Sequence, residues 1–167
     1  MRAGDQVSLQ WHRFEELGPA LLYELLRFRQ AIFVVEQSCA YPDLDGLDQG
    51  AQHLLLRIDG ALAGCLRLIP LPGEARVKIG RVAVAETARG QGFARALMRE
   101  ALARCRHDHP DYAVRLSGQT YLAPLYESLG FVVTSAAYDD YGIPHVDMVL
   151  RPNSGHSGTA AGRVRNP

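Results

Sequence analysis

A glycine-rich turn between a predicted strand and a predicted helix is the segment of this sequence best suited to chemistry. The apolar run Val82-Ala83-Val84 is followed by the turn Arg89-Gly90-Gln91-Gly92-Phe93-Ala94, which opens an amphipathic helix. A strand that ends in such a turn presents unpaired backbone N–H groups together with the positive end of the helix dipole. Gly90 and Gly92 let the backbone approach an anion closely, and Arg89 can add a charge-assisted contact. The segment therefore predicts an anion site, with a pyrophosphate as its natural ligand.

Other glycine-rich phosphate motifs do not fit this turn. A Walker loop requires Gly-Lys followed by Ser or Thr, and this triplet occurs nowhere in the chain. A dinucleotide fingerprint requires three glycines and an acidic ribose partner about twenty residues further on. The remaining alternative is an ordinary strand-turn-helix connection in which the small residues serve only packing.

Apolar periodicity predicts the elements that position this turn. Helices are expected at residues 18–34 and 93–106, where apolar residues recur every three to four positions, and at 121–129, before Gly130. The Asp59-Gly60 pair predicts a tight hairpin turn. Strand patterns cover residues 7–11, 53–58, 61–69, 77–84, 112–116, 131–134 and 146–150. This order predicts a mixed α/β sheet with helices on both faces.

Composition limits the classes of protein to consider. The 167 residues are 47% hydrophobic and 22% charged, which suits one domain, and the formal charge of zero argues against nucleic acid as the main partner. No run approaches the ~20 apolar residues that span a bilayer, and no signal pattern opens the chain, so a cytoplasmic protein without a membrane partner is expected. Cys39, Cys65 and Cys105 lack CxxC spacing, so neither a disulfide framework nor a metal site is indicated.

Two segments lack apolar periodicity. Residues 153–167 are rich in Ser, Gly, Thr, Ala and Arg, so we predict a domain at 1–152 and a disordered tail at 153–167. Residues 41–48 combine Pro, Gly and Asp and predict an ordered loop. Asp43, Asp45 and Asp48 are expected to hydrogen-bond the backbone of that loop, and the alternative is attraction of a cationic substrate.

Two motifs in this order and separation resemble those of the GNAT acetyltransferase superfamily. Arg89-x-x-Gly92-x-Ala94 resembles the superfamily's pyrophosphate loop. The second motif has Gln119 and Leu122 where Asn and Ala are commoner, and it reads Gln119-x-x-Leu122-x-x-Leu125-Tyr126-Glu127-x-x-Gly130-Phe131.

The chain is also similar to the ElaA-like branch of this superfamily over roughly residues 8–150. Ala40 departs from the Pro expected after Cys39. The motifs that carry the similarity are Phe33-Val34-Val35-Glu36-Gln37, Cys39-x-Tyr41-x-Asp43-x-Asp45-Gly46-x-Asp48, Ile79-Gly80-Arg81-Val82-Ala83-Val84 and Gly142-Ile143-Pro144-His145. The resemblance implies the GNAT acyl-CoA N-acyltransferase fold, with a central, mostly antiparallel sheet and helices on both faces.

The resemblance further implies an N-acetyltransferase that moves an acetyl group from acetyl-CoA to a primary amine by direct attack in a ternary complex. Backbone groups of Val82, Ala83 and Val84 would contact the pantetheine arm, and one N–H would stabilise negative charge that develops on the thioester oxygen. The residues that would hold the rest of the cofactor are Arg89, Gly90, Gln91, Gly92, Phe93, Ala94, Gln119 and Tyr121.

Tyr126 matches the superfamily position whose phenol protonates the departing thiolate, and the alternative is a tyrosine that packs against cofactor or core. An ammonium acceptor must lose a proton before it attacks. Glu36 is the first candidate base, directly or through water, and the alternative is that Glu36 braces the following loop. His53 and His145 are secondary candidates at the acceptor. Cys39 is not expected to be a nucleophile, because direct transfer needs no thiol.

The expected partners are therefore acetyl-CoA and an amine acceptor, which could be a small molecule, a peptide or a protein. A GNAT-like module that binds acyl-CoA or docks a partner without turnover is the competing hypothesis. The sequence leaves open whether the chain forms a homodimer, which amine it uses, and whether the donor carries a longer acyl group.

Overall fold

A computed structural model describes residues 6–152 of the chain, so the tail predicted at 153–167 lies outside the described residues. The described part contains three α-helices: α1 Gly18–Gln30, α2 Phe93–Asp108 and α3 Ala123–Glu127. Its eight strands are β1 Val7–Arg13, β2 Gln52–Ile58, β3 Ala61–Leu71, β4 Arg76–Val84, β5 Ala113–Gln119, β6 Val132–Val133, β7 Tyr138–Asp140 and β8 Ile143–Leu150.

All eight strands belong to one sheet, in the order β1-β2-β3-β4-β5-β8-β6, with β7 paired to β8. Neighbouring strands are antiparallel except β4 and β5, which are parallel. The parallel pair is joined only where residues 76–78 meet residues 113–115. Beyond Lys78 the two strands separate, and β4 continues to Val84 without β5 beside it. The separation opens a wedge in the middle of the sheet.

Helices cover both faces of the sheet. Leu54 and Leu56 of β2 belong to the core cluster that contains α2, whereas Leu55 belongs to the cluster that contains α1. Successive side chains of a strand point to opposite faces, so the two helices pack on opposite sides. The α2 face is the larger, and its helix buries Phe93, Leu97, Met98, Ala101, Leu102 and Cys105. The predicted mixed, mostly antiparallel sheet with helices on both faces is confirmed.

The hairpin between β2 and β3 forms as predicted. Asp59 has φ 50° and Gly60 has φ 80°, which are the left-handed values that a primed two-residue turn requires at both positions. The tight turn fixes the register in which the apolar residues of β2 and β3 face the two helical layers.

Three elements differ from the prediction. The first predicted helix becomes π-helical from Ala31 to Glu36, a geometry that is often found at functional sites. The helix predicted at 121–129 is a 3-10 turn at Thr120–Leu122 followed by the short α3. Strand β7, with the sequence Tyr-Asp-Asp, was not predicted because Asp is depleted in strands.

Within residues 6–152, no helix combines the length and apolar character that a membrane crossing requires. The three cysteines are buried and unpaired. The described part of the chain also contains no group of three or more His, Cys, Asp or Glu residues that could hold a metal ion.

Candidate active site

A cleft of about 660 Å³ opens where β4 and β5 separate. Its volume falls in the range of about 300–1,000 Å³ that is usual for small-molecule and cofactor sites. The end of β4, the glycine turn, the start of α2, the end of β5 and α3 all contribute to its walls. The predicted site residues that line it are Glu36, Val82, Ala83, Val84, Arg89, Gly90, Gly92, Phe93, Ala94, Gln119, Tyr121, Tyr126 and His145.

Two predicted site residues do not line this cleft. His53 is buried on β2, and its Nε2 contacts the backbone oxygen of Asp48 at 3.0 Å. Burial lowers the pKa of His53, so the ring is neutral around pH 7. The prediction that His53 lies at the acceptor is therefore wrong, because its ring packs inside the protein. The side chain of Gln91 is exposed and donates to the backbone oxygen of Thr87 at 3.3 Å.

Strand β4 is irregular next to the cleft. The pairing of β3 with β4 shifts register between Cys65 and Arg67. On β4 this irregularity includes Arg81, whose φ of 54° is uncommon for a residue other than glycine. The Cys65 thiol donates to the backbone oxygen of Arg81 at 3.5 Å. A bulge leaves backbone groups outside the ladder, which is what the predicted pantetheine contacts of β4 require.

The glycine turn presents backbone rather than side chains to the cleft. Gly90 and Gly92 have φ 74° and 84°, and a Cβ built on either would meet no heavy atom within 4 Å. Gly92 is the N-cap of the 16-residue helix α2, and no side chain caps that end. The N–H groups of the first helical turn therefore remain available to an anion. The turn fits the pyrophosphate that its sequence predicts.

The side chain of Arg89 reaches from this turn to Glu36, the last residue of the π-helical segment. Its Nη2 lies 2.7 Å from Oε1 and 2.9 Å from Oε2 of Glu36, and its Nε donates to the backbone oxygen of Val84 at 3.0 Å. Nearby, the Gln119 side chain donates to Oε1 of Gln37 at 3.2 Å. A predicted pyrophosphate contact and a predicted base are thus paired with each other.

Tyr126 is buried beneath β5, with 4% of its surface exposed. Its ring packs edge-on against Phe131, with the ring centroids 6.2 Å apart. Tyr126 lines the cleft, and its hydroxyl makes no hydrogen bond to the described residues. Burial, with a smaller contribution from Tyr121, raises the pKa of Tyr126 to about 12. The phenol therefore stays protonated through neutral and moderately alkaline pH and can act as a proton donor.

His145 lies on β8 at the other side of the cleft. Its Nδ1 is 2.8 Å from the backbone oxygen of Ile143, which can only accept a hydrogen bond. In the neutral ring the proton is therefore on Nδ1, and Nε2 carries the lone pair. The ring stacks on Tyr138, whose hydroxyl donates to Asp147 at 3.0 Å. These contacts fix the orientation of the imidazole.

The acidic loop at 41–48 makes contacts that were not predicted. The expected turn contact occurs at Asp45, which accepts from the Leu47 N–H at 3.1 Å. The main partners of its carboxylates, however, are arginines of α1, β3 and β4. The residues form an Arg–Asp cluster of Arg29, Arg67, Arg81, Asp43, Asp45 and Asp48, of which Arg29, Arg67, Asp43 and Asp48 are buried.

The centre of the Arg–Asp cluster is almost free of solvent contact. Arg29 and Arg67 are 1% and 2% exposed, and both donate to Oδ1 of Asp48, at 2.6 and 2.8 Å. Burial by itself would raise the pKa of Asp45, but the hydrogen bond from Arg67 and the neighbouring charges lower it to about 2. Every carboxylate of the cluster is paired with arginine, so the cluster fixes the loop and offers little free charge to a cationic substrate.

Several residues without a predicted role also line the cleft. Arg81 belongs both to the cleft wall and to the Arg–Asp cluster, and its guanidinium lies 4.8 Å from the ring centroid of Tyr41. Lys78, Gly118 and Asp140 are further examples. Arg81 and Tyr41 lie in the motifs of the ElaA-like resemblance, which was the available signal. Asp140 lies on β7, a strand that was not predicted.

Comparison with known proteins gives consistent matches over most of the chain. A family model described as "Acetyltransferase (GNAT) domain" matches residues 28–152. The chain is 37% identical to ElaA of Escherichia coli over 145 residues, covering 84% of this chain and 95% of ElaA. It is 42% identical to a UPF0039 protein of Schizosaccharomyces pombe over 139 residues, covering 82% and 92%.

Two solved structures share the fold at similar identity. The crystal structure of E. coli ElaA matches with a TM-score of 0.83 and 36% identity, covering 87% of this chain and 100% of that one. An acyl-CoA N-acyltransferase from Pseudomonas aeruginosa matches with a TM-score of 0.82 and 38% identity, covering 87% and 99%.

Proposed function

Since this chain belongs to the GNAT acetyltransferase family, we propose that it transfers an acetyl group from acetyl-CoA to a primary amine by direct attack in a ternary complex. Family membership identifies an acyltransferase, and the acetyl donor and amine acceptor are the proposed part. The observation that carries the proposal is one cleft lined by both the glycine turn and the Tyr126 phenol. Acetyl-CoA supplies the thioester, and residues of the chain hold it and move protons.

The cofactor contacts follow the cleft wall from α2 to β4. The N–H groups at the start of α2, with Gly90 and Gly92, bind the pyrophosphate, and Arg89 adds a positive charge. The backbone of residues 82–84 binds the pantetheine arm beside the β4 irregularity. Gln119 and Tyr121 provide further cofactor contacts from the opposite wall.

Tyr126 acts as the general acid. Its phenol is protonated across the physiological range, because burial raises its pKa to about 12. The same buried surroundings raise the basicity of a departing thiolate, so the two groups remain matched for proton transfer.

Glu36 acts as the general base, directly or through water, and His145 binds the acceptor. The Glu36 carboxylate lines the cleft where α1 and its π-helical extension approach β4 and β5. Nε2 of His145 is an acceptor for the N–H of an incoming amine, because its Nδ1 proton is directed to Ile143. Both residues lie in the same cleft as the Tyr126 phenol.

The proposed activity is tested by thiol release from acetyl-CoA over a panel of primary amines, which includes aliphatic amines, amino acids and peptides. We expect at least one amine to raise thiol release well above the rate of acetyl-CoA hydrolysis. CoA binding with no stimulation by any amine would favour the competing hypothesis of a module without turnover.

Gly118→Ala is expected to displace the ring of Tyr126, the proposed acid. A Cβ at position 118 would lie 2.8 Å from Cε2 of Tyr126, so the ring must shift. Misplacement of a reacting group by about 1 Å can cost up to about 100-fold in rate, and we expect kcat to fall by about tenfold or more. Steady-state kinetics check this result. Gly50→Ala is the matched control, because a Cβ there meets nothing within 4 Å. Equal kcat values for both variants would contradict the position assigned to Tyr126.

A further inference from the structure

Two consecutive residues at the end of the π-helical segment hold two side chains that the proposed function assigns to the cofactor. Glu36 is paired with Arg89, and Gln37 accepts from Gln119. Arg89 belongs to the glycine turn and Gln119 to the end of β5, so the two contacts reach opposite walls of the cleft. The candidate base and its neighbour Gln37 are therefore hydrogen-bonded to side chains that are proposed to bind the cofactor.

We propose that the pyrophosphate of CoA takes the place of the Glu36 carboxylate on the Arg89 guanidinium, and that this exchange releases Glu36 for the acceptor amine. This inference rests on the proposed function and adds to it the event that frees the base.

The Glu36 carboxylate and the pyrophosphate of CoA compete for the Arg89 guanidinium. A guanidinium fork recognises carboxylate and phosphate oxygens in the same bidentate manner. The Nε of Arg89 donates to the backbone oxygen of Val84, and its Nη2 contacts both carboxylate oxygens of Glu36. A pyrophosphate on the adjacent helix N-terminus would place further negative charge beside the carboxylate, and like charges at this distance repel. Glu36 is the group that moves, because the turn is anchored to β4 and α2.

The surroundings of the pair allow this exchange. The side chains of Arg89 and Glu36 are 43% and 38% exposed, and ion pairs with that exposure are weak enough for a ligand to displace. Val35 is 69% exposed, whereas Ile32, one turn earlier, is 7% exposed. The end of the π-helical segment is thus held by polar contacts more than by core packing, and Glu36 can reorient without disrupting the core.

Calorimetric titration of the purified chain with CoA tests the exchange. Substitution of Glu36 and substitution of Arg89 should change the CoA affinity in opposite directions. Glu36→Gln removes the competing anion, so we expect CoA to bind about two- to fivefold more tightly than to the wild type. Arg89→Gln removes the shared cation, and we expect CoA to bind about tenfold more weakly. In the Arg89→Gln background, adding Glu36→Gln should change the CoA affinity very little, because the pair is already broken.

Glu86→Gln is the matched control for a general charge effect. Glu86 is exposed, lies three residues before Arg89 and does not line the cleft. If Glu86→Gln tightens CoA as much as Glu36→Gln, or if Glu36→Gln leaves the affinity unchanged or weaker, the exchange is refuted. The proposed function fails on a different result, namely a wild type that binds no CoA or that transfers acetyl to no amine.

Discussion

Tyr126→Phe is expected to lower kcat for acetyl transfer by about 100-fold or more, because a positioned general acid contributes about 10²–10⁴ in rate. Phenylalanine keeps the ring that packs against Phe131 beneath Gly118 and removes only the hydroxyl of this cleft-lining residue. The free energy of unfolding and the CoA affinity should therefore stay close to the wild-type values. Steady-state kinetics and calorimetric titration with CoA provide the measurement.

The pH profile makes this expectation specific. With a pKa of about 12, the Tyr126 phenol stays protonated in the working range, so the defect should be of similar size between about pH 6 and pH 10. Tyr23→Phe is the matched control, because Tyr23 is 70% exposed on α1 and lies outside the cleft lining. Turnover by Tyr126→Phe within about twofold of the control over that range would remove Tyr126 from the role of acid.

Asp48→Ala is expected to lower the free energy of unfolding by about 3–5 kcal/mol, the usual cost of removing one partner from a buried ion pair. Asp48 accepts from both Arg29 and Arg67, whose side chains are 1% and 2% exposed. Neither arginine can lose its charge by deprotonation, so the variant leaves buried positive charge without its shared carboxylate. Urea unfolding measures the difference.

Asp111→Ala is the control for this substitution. Asp111 is exposed and makes no side-chain hydrogen bond or ion pair with the described residues, so we expect a change within about 0.5 kcal/mol. A loss below about 1 kcal/mol for Asp48→Ala would show that solvent reaches the Arg–Asp cluster and that its pairs are replaceable.

The glycine turn and the helical layers were predictable because their signals are local. The three-to-four-residue spacing of Leu97, Met98, Ala101 and Leu102 defines the buried face of α2, and these side chains are indeed buried. Asp59-Gly60 specifies its turn through two left-handed positions, which are likewise a local property. The order of strands and helices was sufficient for the class of fold.

The Arg–Asp cluster was not predicted because its partners are distant along the chain. Arg29 lies four residues after Leu25 on the buried stripe of α1, and a charge on that stripe indicates a buried ion pair. Its carboxylate partners are 14 and 19 residues away, and Arg81 reaches Asp43 across 38 residues. Local pattern identifies the unusual arginine but does not select its partner.

The candidate site was predictable only in part, because its residues lie in recognisable segments but its contacts join segments that are distant along the chain. Arg89 and Glu36 were both identified from their segments, but their contact spans 53 residues and depends on the π-helical turn. His53 lies in a strand that is buried on both faces, so alternation could not indicate that its ring turns into the protein. A segment of sequence identifies candidate residues, but the fold decides which of them lie in the same cleft.

We propose above that the cleft between β4 and β5 catalyses acetyl transfer from acetyl-CoA to an amine. The most direct test of this activity is mass spectrometry of the amine that gives the highest thiol release, after incubation with acetyl-CoA and the wild-type chain. We expect one acetyl group on the amine nitrogen and an equal amount of free CoA. Free CoA without an acetylated amine, over the whole panel, would contradict it.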